Sequence, residues 1–292
     1  MKAMRKRYKR RNLIEAYIFV SPYIVGLFAF FLFPILFSLI ISFGTLEITG
    51  EGLKFQFYGL ANYINAFQSD LNFTTEFYSV IVNTLINTPL IVIFSLIIAV
   101  FLNKNLGFKG LYRLIYFLPF VLGTGYVMKY LLGLGVSEDA MQVARSIMLP
   151  EEVQKYFSPA VTKVMTQFFD RITLDLWKSG MQIVLFLAGL QGISPSLYES
   201  ARCDAATEWE MFWKITVPIL SPLTLLIVIY TVIDSFYDPA SRMLTIFNDY
   251  FHQTQFSYSA ALSWIYAGFI LLFIGLIFLL SRKLVYVENE AS

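Results

Sequence analysis

The chain has 292 residues, of which 57% are hydrophobic and only 14% charged, with a formal net charge of +2 and a mean hydropathy of +0.64. That is too apolar for an ordinary soluble domain and implies an integral membrane protein. A single cysteine and a single histidine exclude an intrachain disulfide and a Cys/His metal cluster.

A hydrocarbon core about 30 Å thick takes roughly 20 helical residues to cross. Six stretches qualify, at about 13–43, 79–102, 111–135, 171–193, 217–237 and 258–281. The alternation of an outer-membrane barrel is absent, so helices must satisfy the backbone. The expected fold class is an all-α membrane protein, a single transmembrane domain over 1–292 without a regular internal repeat. The run from Ala16 to Ile41 is much longer than a secretory signal's core of roughly 7 to 15 residues and precedes no A-x-A site, so it reads as a retained first span.

Orientation follows the lysines and arginines of the short loops. The first twelve residues carry seven basic side chains; Lys104, Lys109, Arg113, Arg202, Lys214, Arg282 and Lys283 share their side, making fourteen. The opposite loops hold Lys54, Arg145, Lys155, Lys163, Arg171 and Arg242, diluted by acids. Both termini and the 194–216 segment are therefore expected in the cytoplasm. The basic prelude reads as a solvated orientation signal, with anionic lipid headgroups as an alternative partner.

In chain order, the second span carries Asn83 and Asn87 one turn apart. The third holds Pro119, the GTG at 123–125, Tyr126 and Lys129, the pattern of a span broken where it lines protein or water. The segment 136–170 includes VTKVMTQFFDRI, which sets Val161, Val164, Met165, Phe168, Phe169 and Ile172 on one stripe after Ser158 and Pro159. It suits an amphipathic surface helix or a docking element for an outer partner. Span four adds Asp175, Lys178 and Gln182, and span five Tyr230 and Asp234. Lys129, Asp175, Lys178 and Asp234 fall near outer span ends, as snorkelling and local ion pairs or as a polar outer vestibule. Asn83, Asn87, Tyr126, Gln182 and Tyr230 suit helix–helix hydrogen bonds or a path for a neutral polyhydroxylated solute.

Between spans four and five lies YESARCDAATEWEMFWKITVPIL. Ser194 and Pro195 predict a helix start, and Thr207 with Glu210 has the capping-box spacing for a second one. On that second helix Trp209, Phe212, Trp213 and Thr216 fall on one face. An interfacial anchor explains the tryptophans; it leaves the acids and the bend at 203–206 unexplained.

This stretch resembles the loop signature of permease subunits of binding-protein-dependent ABC importers, E-A-A, three residues, G, then an apolar run ending I-x-x-P. The matching positions are Glu199, Ser200, Ala201, Asp204, Ala206, Phe212, Ile215 and Pro218. AYIFVSPYIVGLFAFFLFPILFSLIISF, FYGLANYINAF, VNTLINTPL, LNKNLGFKGLYRLIYFLPF and LAGLQGISPSLYE are similar to segments of the carbohydrate branch, in the expected order. Where the family has glycine this chain has Ala205, which is expected to turn with ordinary dihedrals. The resemblance implies a six-span type I importer permease with a cytoplasmic coupling helix pair. Glu199, Ser200, Ala201, Asp204, Ala205, Ala206, Trp209 and Phe212 would dock an ATPase that binds ATP and Mg. A second permease chain, an ABC ATPase dimer and an extracytoplasmic solute-binding protein are the implied partners, in the cell membrane.

The sequence lacks a phosphate loop, a nucleophile elbow and a dinucleotide turn, so a non-catalytic transport subunit is expected. An ion-coupled carrier is the rival, disfavoured by the lack of midplane carboxylates and repeated halves. A permease for a non-sugar solute is the nearer alternative.

Overall fold

The computed structural model describes residues 17–50, 52–104, 156–159, 161–166, 179–237 and 241–281. Among the described residues, four helices are long and apolar enough to cross a membrane: α1 (Tyr17–Ser42), α3 (Leu71–Asn103), α6 (Glu208–Phe236) and α8 (Phe256–Ser281). A fifth span results if α4 (Gly180–Gly192) and α5 (Pro195–Cys203), bent by 64°, are taken as one. Between them lie β1 (Gly44–Thr49), β2 (Gly52–Phe57), α2 (Ala61–Gln68) and α7 (Arg242–His252). The expected span at 111–135 and the first part of that at 171–193 lie outside the described residues.

Two spans handle a proline in the same way. A π-helical turn at Leu27–Leu32 precedes Pro34 in α1, and another at Phe212–Thr216 precedes Pro218 in α6. Proline offers no N–H, and its ring presses on the carbonyl four residues back. Widening the preceding turn to i→i+5 pairing relieves that pressure and keeps the backbone bonded. The Phe33 N–H reaches the Phe28 carbonyl, and the Val217 N–H reaches that of Phe212.

Three sequence expectations need correction. The second span begins at Leu71 rather than 79, because Asp70 caps it: its Oδ1 accepts the Phe73 N–H at 3.0 Å, and its carbonyl accepts that of Thr74 at 3.1 Å. The fifth span begins at Glu208, since the helix predicted in the insert continues into it unbroken. The all-α assignment misses an antiparallel hairpin pairing Gly44 with Phe57 and Thr49 with Gly52. Its strands alternate as strands should, and Glu47 stands opposite Lys54, a favourable cross-strand pair. Gly44 is required there, because a Cβ would strike the Gln56 carbonyl and the Phe55 ring.

The chain divides into two compact units. The first comprises Met1–Phe77 with Arg242–Phe269. Its core is an aromatic chain in which Phe77 packs on Phe73, Tyr266 and Phe269 and Tyr266 on Phe247. Polar ties pin the surrounding elements. The Asn62 amide donates to the Ser42 and Gly44 carbonyls at 2.9 and 2.7 Å, and the Trp264 indole to Ser38 Oγ at 3.1 Å. Asp70 Oδ2 receives both the Tyr250 and Tyr258 hydroxyls, at 2.7 and 3.0 Å, tying the start of α3 to α7 and α8.

The second unit comprises Tyr78–Ser241 with Ile270–Ser292. Here Ile98, Ala99 and Leu102 of α3 close a core with Ile183, Phe186 and Leu190 of α4 and Leu220 and Ile227 of α6. Gly189 allows the close approach of α4 to α6, since a Cβ there would overlap the Leu220 and Leu223 methyls.

Asp70→Ala should therefore lower the stability of the purified chain by about 2 kcal/mol, through the lost cap and two unpaired phenols. Asp70→Asn, which retains a capping oxygen, should cost less. Thermal melting followed by circular dichroism in detergent measures both, and equal losses would contradict the double role given to this carboxylate.

Candidate functional site

The bent pair α5–α6 is closed by local backbone chemistry at each turn. Pro195 occupies the first turn of α5 as expected, but Ser194 makes no side-chain cap; its hydroxyl meets that of Ser196 at 2.8 Å. At the far end of α5, Ala205 has φ +59°, which corrects the expectation of ordinary dihedrals. The Ala205 N–H donates to the Arg202 carbonyl and the Ala206 N–H to that of Ala201, both at 3.0 Å. This is a Schellman closure with alanine in the left-handed position normally given to glycine.

One residue later α6 opens with the predicted capping box. Thr207 Oγ1 accepts the Glu210 N–H at 3.3 Å, and Glu210 Oε2 accepts the Thr207 N–H at 3.0 Å. Ion pairs Arg202–Glu208 and Lys214–Glu210, both 3.6 Å, span the bend and the first turns of α6. Being exposed, they add little energy. The Tyr198 and Thr216 hydroxyls meet at 2.8 Å, and Met211 is buried, so the pair is fastened to the second unit's core from beneath.

Of the predicted coupling residues, Glu199, Ser200, Asp204 and Ala205 are exposed, as is Cys203, while Ala201 and Ala206 are half-buried. Trp209 is 69% exposed and packs with Phe212 and Trp213 in one aromatic group. Thr216 leaves the predicted face and is buried, because the π-turn between Phe212 and Thr216 advances fewer degrees per residue than an α-turn. The product is a stiff projection showing acids and an indole. Among the described residues no group of His, Cys, Asp and Glu could hold a metal.

The predicted path and vestibule residues are scattered. Gln182 is wholly buried and donates to Thr231 Oγ1 at 3.2 Å, joining α4 to α6. Asn83 is exposed and donates to Ser79 Oγ at 3.3 Å; Asn87 and Tyr230 are half-buried, and Asp234 is exposed. Tyr126, Lys129, Asp175 and Lys178 lie outside the described residues. Of the 136–170 segment, the described part is helical from Pro159, with Val161 and Val164 exposed.

Sequence reasoning missed a pocket of about 760 Å³ in the first unit, walled by Thr45, Asn62, Asn65, Asp70, Tyr250 and Ser257 among others. Burial, then the Asp70 hydrogen bond and charge, pushes the Tyr250 phenol up to about 12, so it keeps its donor proton into alkaline solution. These residues come from widely separated segments, and the one local signal was Asp70 standing at a helix start.

Comparison with known proteins agrees with a permease fold. Residues 176–289, which include the bent pair, match the family described as binding-protein-dependent transport system inner membrane component. The arabinooligosaccharides transport system permease protein AraP of Bacillus subtilis is 33% identical over 75% of this chain and 68% of its own length. The lactose transport system permease protein LacF of Rhizobium radiobacter is 28% identical over 89% of this chain and 92% of its own. Among solved structures, a bacterial ABC transporter involved in import of the acidic polysaccharide alginate superposes with a TM-score of 0.62 at 19% identity, covering 96% of this chain and 99% of that one. The chain is thus a multi-pass membrane protein with the fold of a type I ABC importer permease. It belongs to the family of binding-protein-dependent transport system inner membrane components.

The Schellman geometry yields a directional test. Ala205→Gly should relieve about 1 kcal/mol of left-handed strain, and Thr207→Ala should cost about 1 kcal/mol at the next cap. Hydrogen exchange of the amides at 201–211 in the purified chain should slow several-fold in the first variant and quicken in the second.

Proposed function

We propose that this chain is a membrane-spanning subunit of an ATP-driven importer, forming half of the path for a sugar or oligosaccharide delivered by an extracytoplasmic binding protein. The observation that carries the reading is the capped, bent pair α5–α6, exposed at its tip and rooted in the second unit, within the family-matched region. The sugar assignment draws support from relatives named for arabinooligosaccharides and lactose and from a fold neighbour described with an alginate pentasaccharide-bound periplasmic protein.

In this reading the chain crosses the cell membrane six times with both termini in the cytoplasm, following the basic-residue asymmetry. The bent pair then faces the cytoplasm, while the hairpin, α7 and the pocket face outward. Glu199, Ser200, Ala201, Asp204, Ala205, Ala206, Trp209 and Phe212 seat in an ABC ATPase that binds ATP and Mg, and this chain contributes no catalytic group. A second permease completes the pore. ATP-driven closure of the ATPase dimer draws the two bent pairs together and opens the path outward; hydrolysis resets it. Asn83, Asn87, Tyr126, Gln182 and Tyr230 border that path, with Gln182 acting through its bond to Thr231. Lys129, Asp175, Lys178 and Asp234 form the outer vestibule.

Cys203, the sole thiol and exposed, reports on docking. A bulky maleimide should label it in the isolated chain and at least tenfold more slowly in the assembled transporter. Replacing residues 199–210 by a glycine-serine linker should abolish stimulation of ATP hydrolysis by loaded binding protein. Equal labelling in both states, or coupling that survives the replacement, would defeat the assignment. Screening co-purified transporter against binding proteins loaded with different sugars tests the solute class.

A further inference from the structure

The pocket of the first unit holds groups that the proposed path does not use. Ser257 forms part of its wall, and the Ser257 hydroxyl is buried, with the residue 4% exposed, yet has no hydrogen-bond partner. An unpaired buried hydroxyl costs free energy and calls for an explanation. At the rim, Thr254 has φ +63°, a rare conformation for a β-branched side chain. It is fixed there by a second Schellman closure, with the Thr254 N–H on the Phe251 carbonyl at 3.1 Å and the Gln255 N–H on that of Tyr250 at 3.0 Å.

The lining decides what would bind. It contains no lysine, arginine or histidine, so an anionic ligand finds no counter-charge. Asp70 is occupied by two phenols and a backbone N–H, which leaves its carboxylate little capacity for a cation. Glu47 also lines the pocket, and its exposed carboxylate can accept hydroxyl hydrogen bonds while adding to the repulsion of an anion. The other unspent groups are uncharged: the Ser257 hydroxyl and the exposed Asn65 and Gln255 amides, for which no side-chain bond occurs among the described residues. Tyr250, Phe256 and Tyr258 add aromatic surface. Amides and hydroxyls that can both give and accept, beside rings that pack against C–H faces, match a neutral sugar. The volume lies within the roughly 300–1,000 Å³ of small-molecule sites.

We propose that this pocket is a subsite for a neutral saccharide on the outer face of the permease, distinct from the membrane-embedded path, holding a sugar unit as it leaves the binding protein. The inference rests on the sugar-import reading and on the orientation above.

The test uses the assembled transporter in lipid nanodiscs, without binding protein, and three probes: neutral maltotriose and arabinotriose, and acidic trimannuronate. Saturation-transfer NMR should show contact with a neutral trisaccharide, at least threefold weaker for trimannuronate and at least threefold weaker in the Asn65→Ala/Ser257→Ala double variant. Asn65 is exposed and Ser257→Ala removes only an unpaired hydroxyl, so the variant should fold and still capture binding protein with unchanged affinity. A neutral-sugar signal that is missing, or indifferent to the substitutions, overturns the subsite. So does a preference for the acidic probe. Loss of binding-protein capture in the variant also overturns it, because the pocket would then seat that protein. Uptake by wild-type proteoliposomes supplied with binding protein separates the two readings. Accumulation of a neutral trisaccharide without a pocket-dependent signal defeats the subsite alone, whereas accumulation of none of the three defeats the sugar reading and the subsite with it.

Discussion

Lipid offers no hydrogen bonds, so wherever a span bends or stops, the chain must close its own backbone. Two wide turns inside spans meet that demand, and the ends of two shorter helices close their backbone internally as well. Wider turns ahead of Pro34 and Pro218 pass carbonyls to new donors. At the ends of α5 and α7, left-handed residues swing two N–H groups back onto the preceding turn. In both left-handed positions a residue with a Cβ stands where glycine would be easier. The strain is about 1–2 kcal/mol, of the same size as the two hydrogen bonds that each closure secures.

The two units apply the same closure to different ends. Around α5 and α6 nearly everything polar is spent: the box uses Thr207 and Glu210, the carbonyls of α5 are taken, and Tyr198 holds Thr216. What remains outside is an indole, several acids and a thiol, on a body that cannot easily deform. In the first unit the closure after α7 borders a cavity instead, and a buried hydroxyl in its wall stays unpaired. A finished surface suits contact with another protein. An unfinished one suits a small polar solute.

Much of this was readable from the residues. Apolar length located the described spans to within a few residues at most ends, since burial in hydrocarbon leaves few alternatives. Pro195 and the Thr207–Glu210 pair announced the bend because capping is a local matter. Hydropathy overlooked the polar first turns of α3, where Asp70 extends the helix, and the short strands of the hairpin, whose alternation is weak beside long greasy runs. It also mistook Ala205, because residue preference alone does not count the hydrogen bonds gained by an unfavourable dihedral. The face drawn through Thr216 assumed an unbroken α-period, which the π-turn alters. The pocket was illegible for a different reason: Asp70 and Tyr258 lie 188 residues apart in sequence, and no local pattern reports such a meeting.

The unbroken course of α6 from Glu208 to Phe236 has a mechanical consequence. At about 1.5 Å per residue it is a rod roughly 43 Å long, with the exposed Trp209 at its first turn. Such a rod transmits a push as rotation rather than absorbing it, and a swing of a few degrees moves its tip by a few ångströms. Compliance is concentrated where the backbone ladder is interrupted, at the wide turn Phe212–Thr216 just beyond Trp209 and at Pro222 inside the helix, which gives the rod two joints near one end.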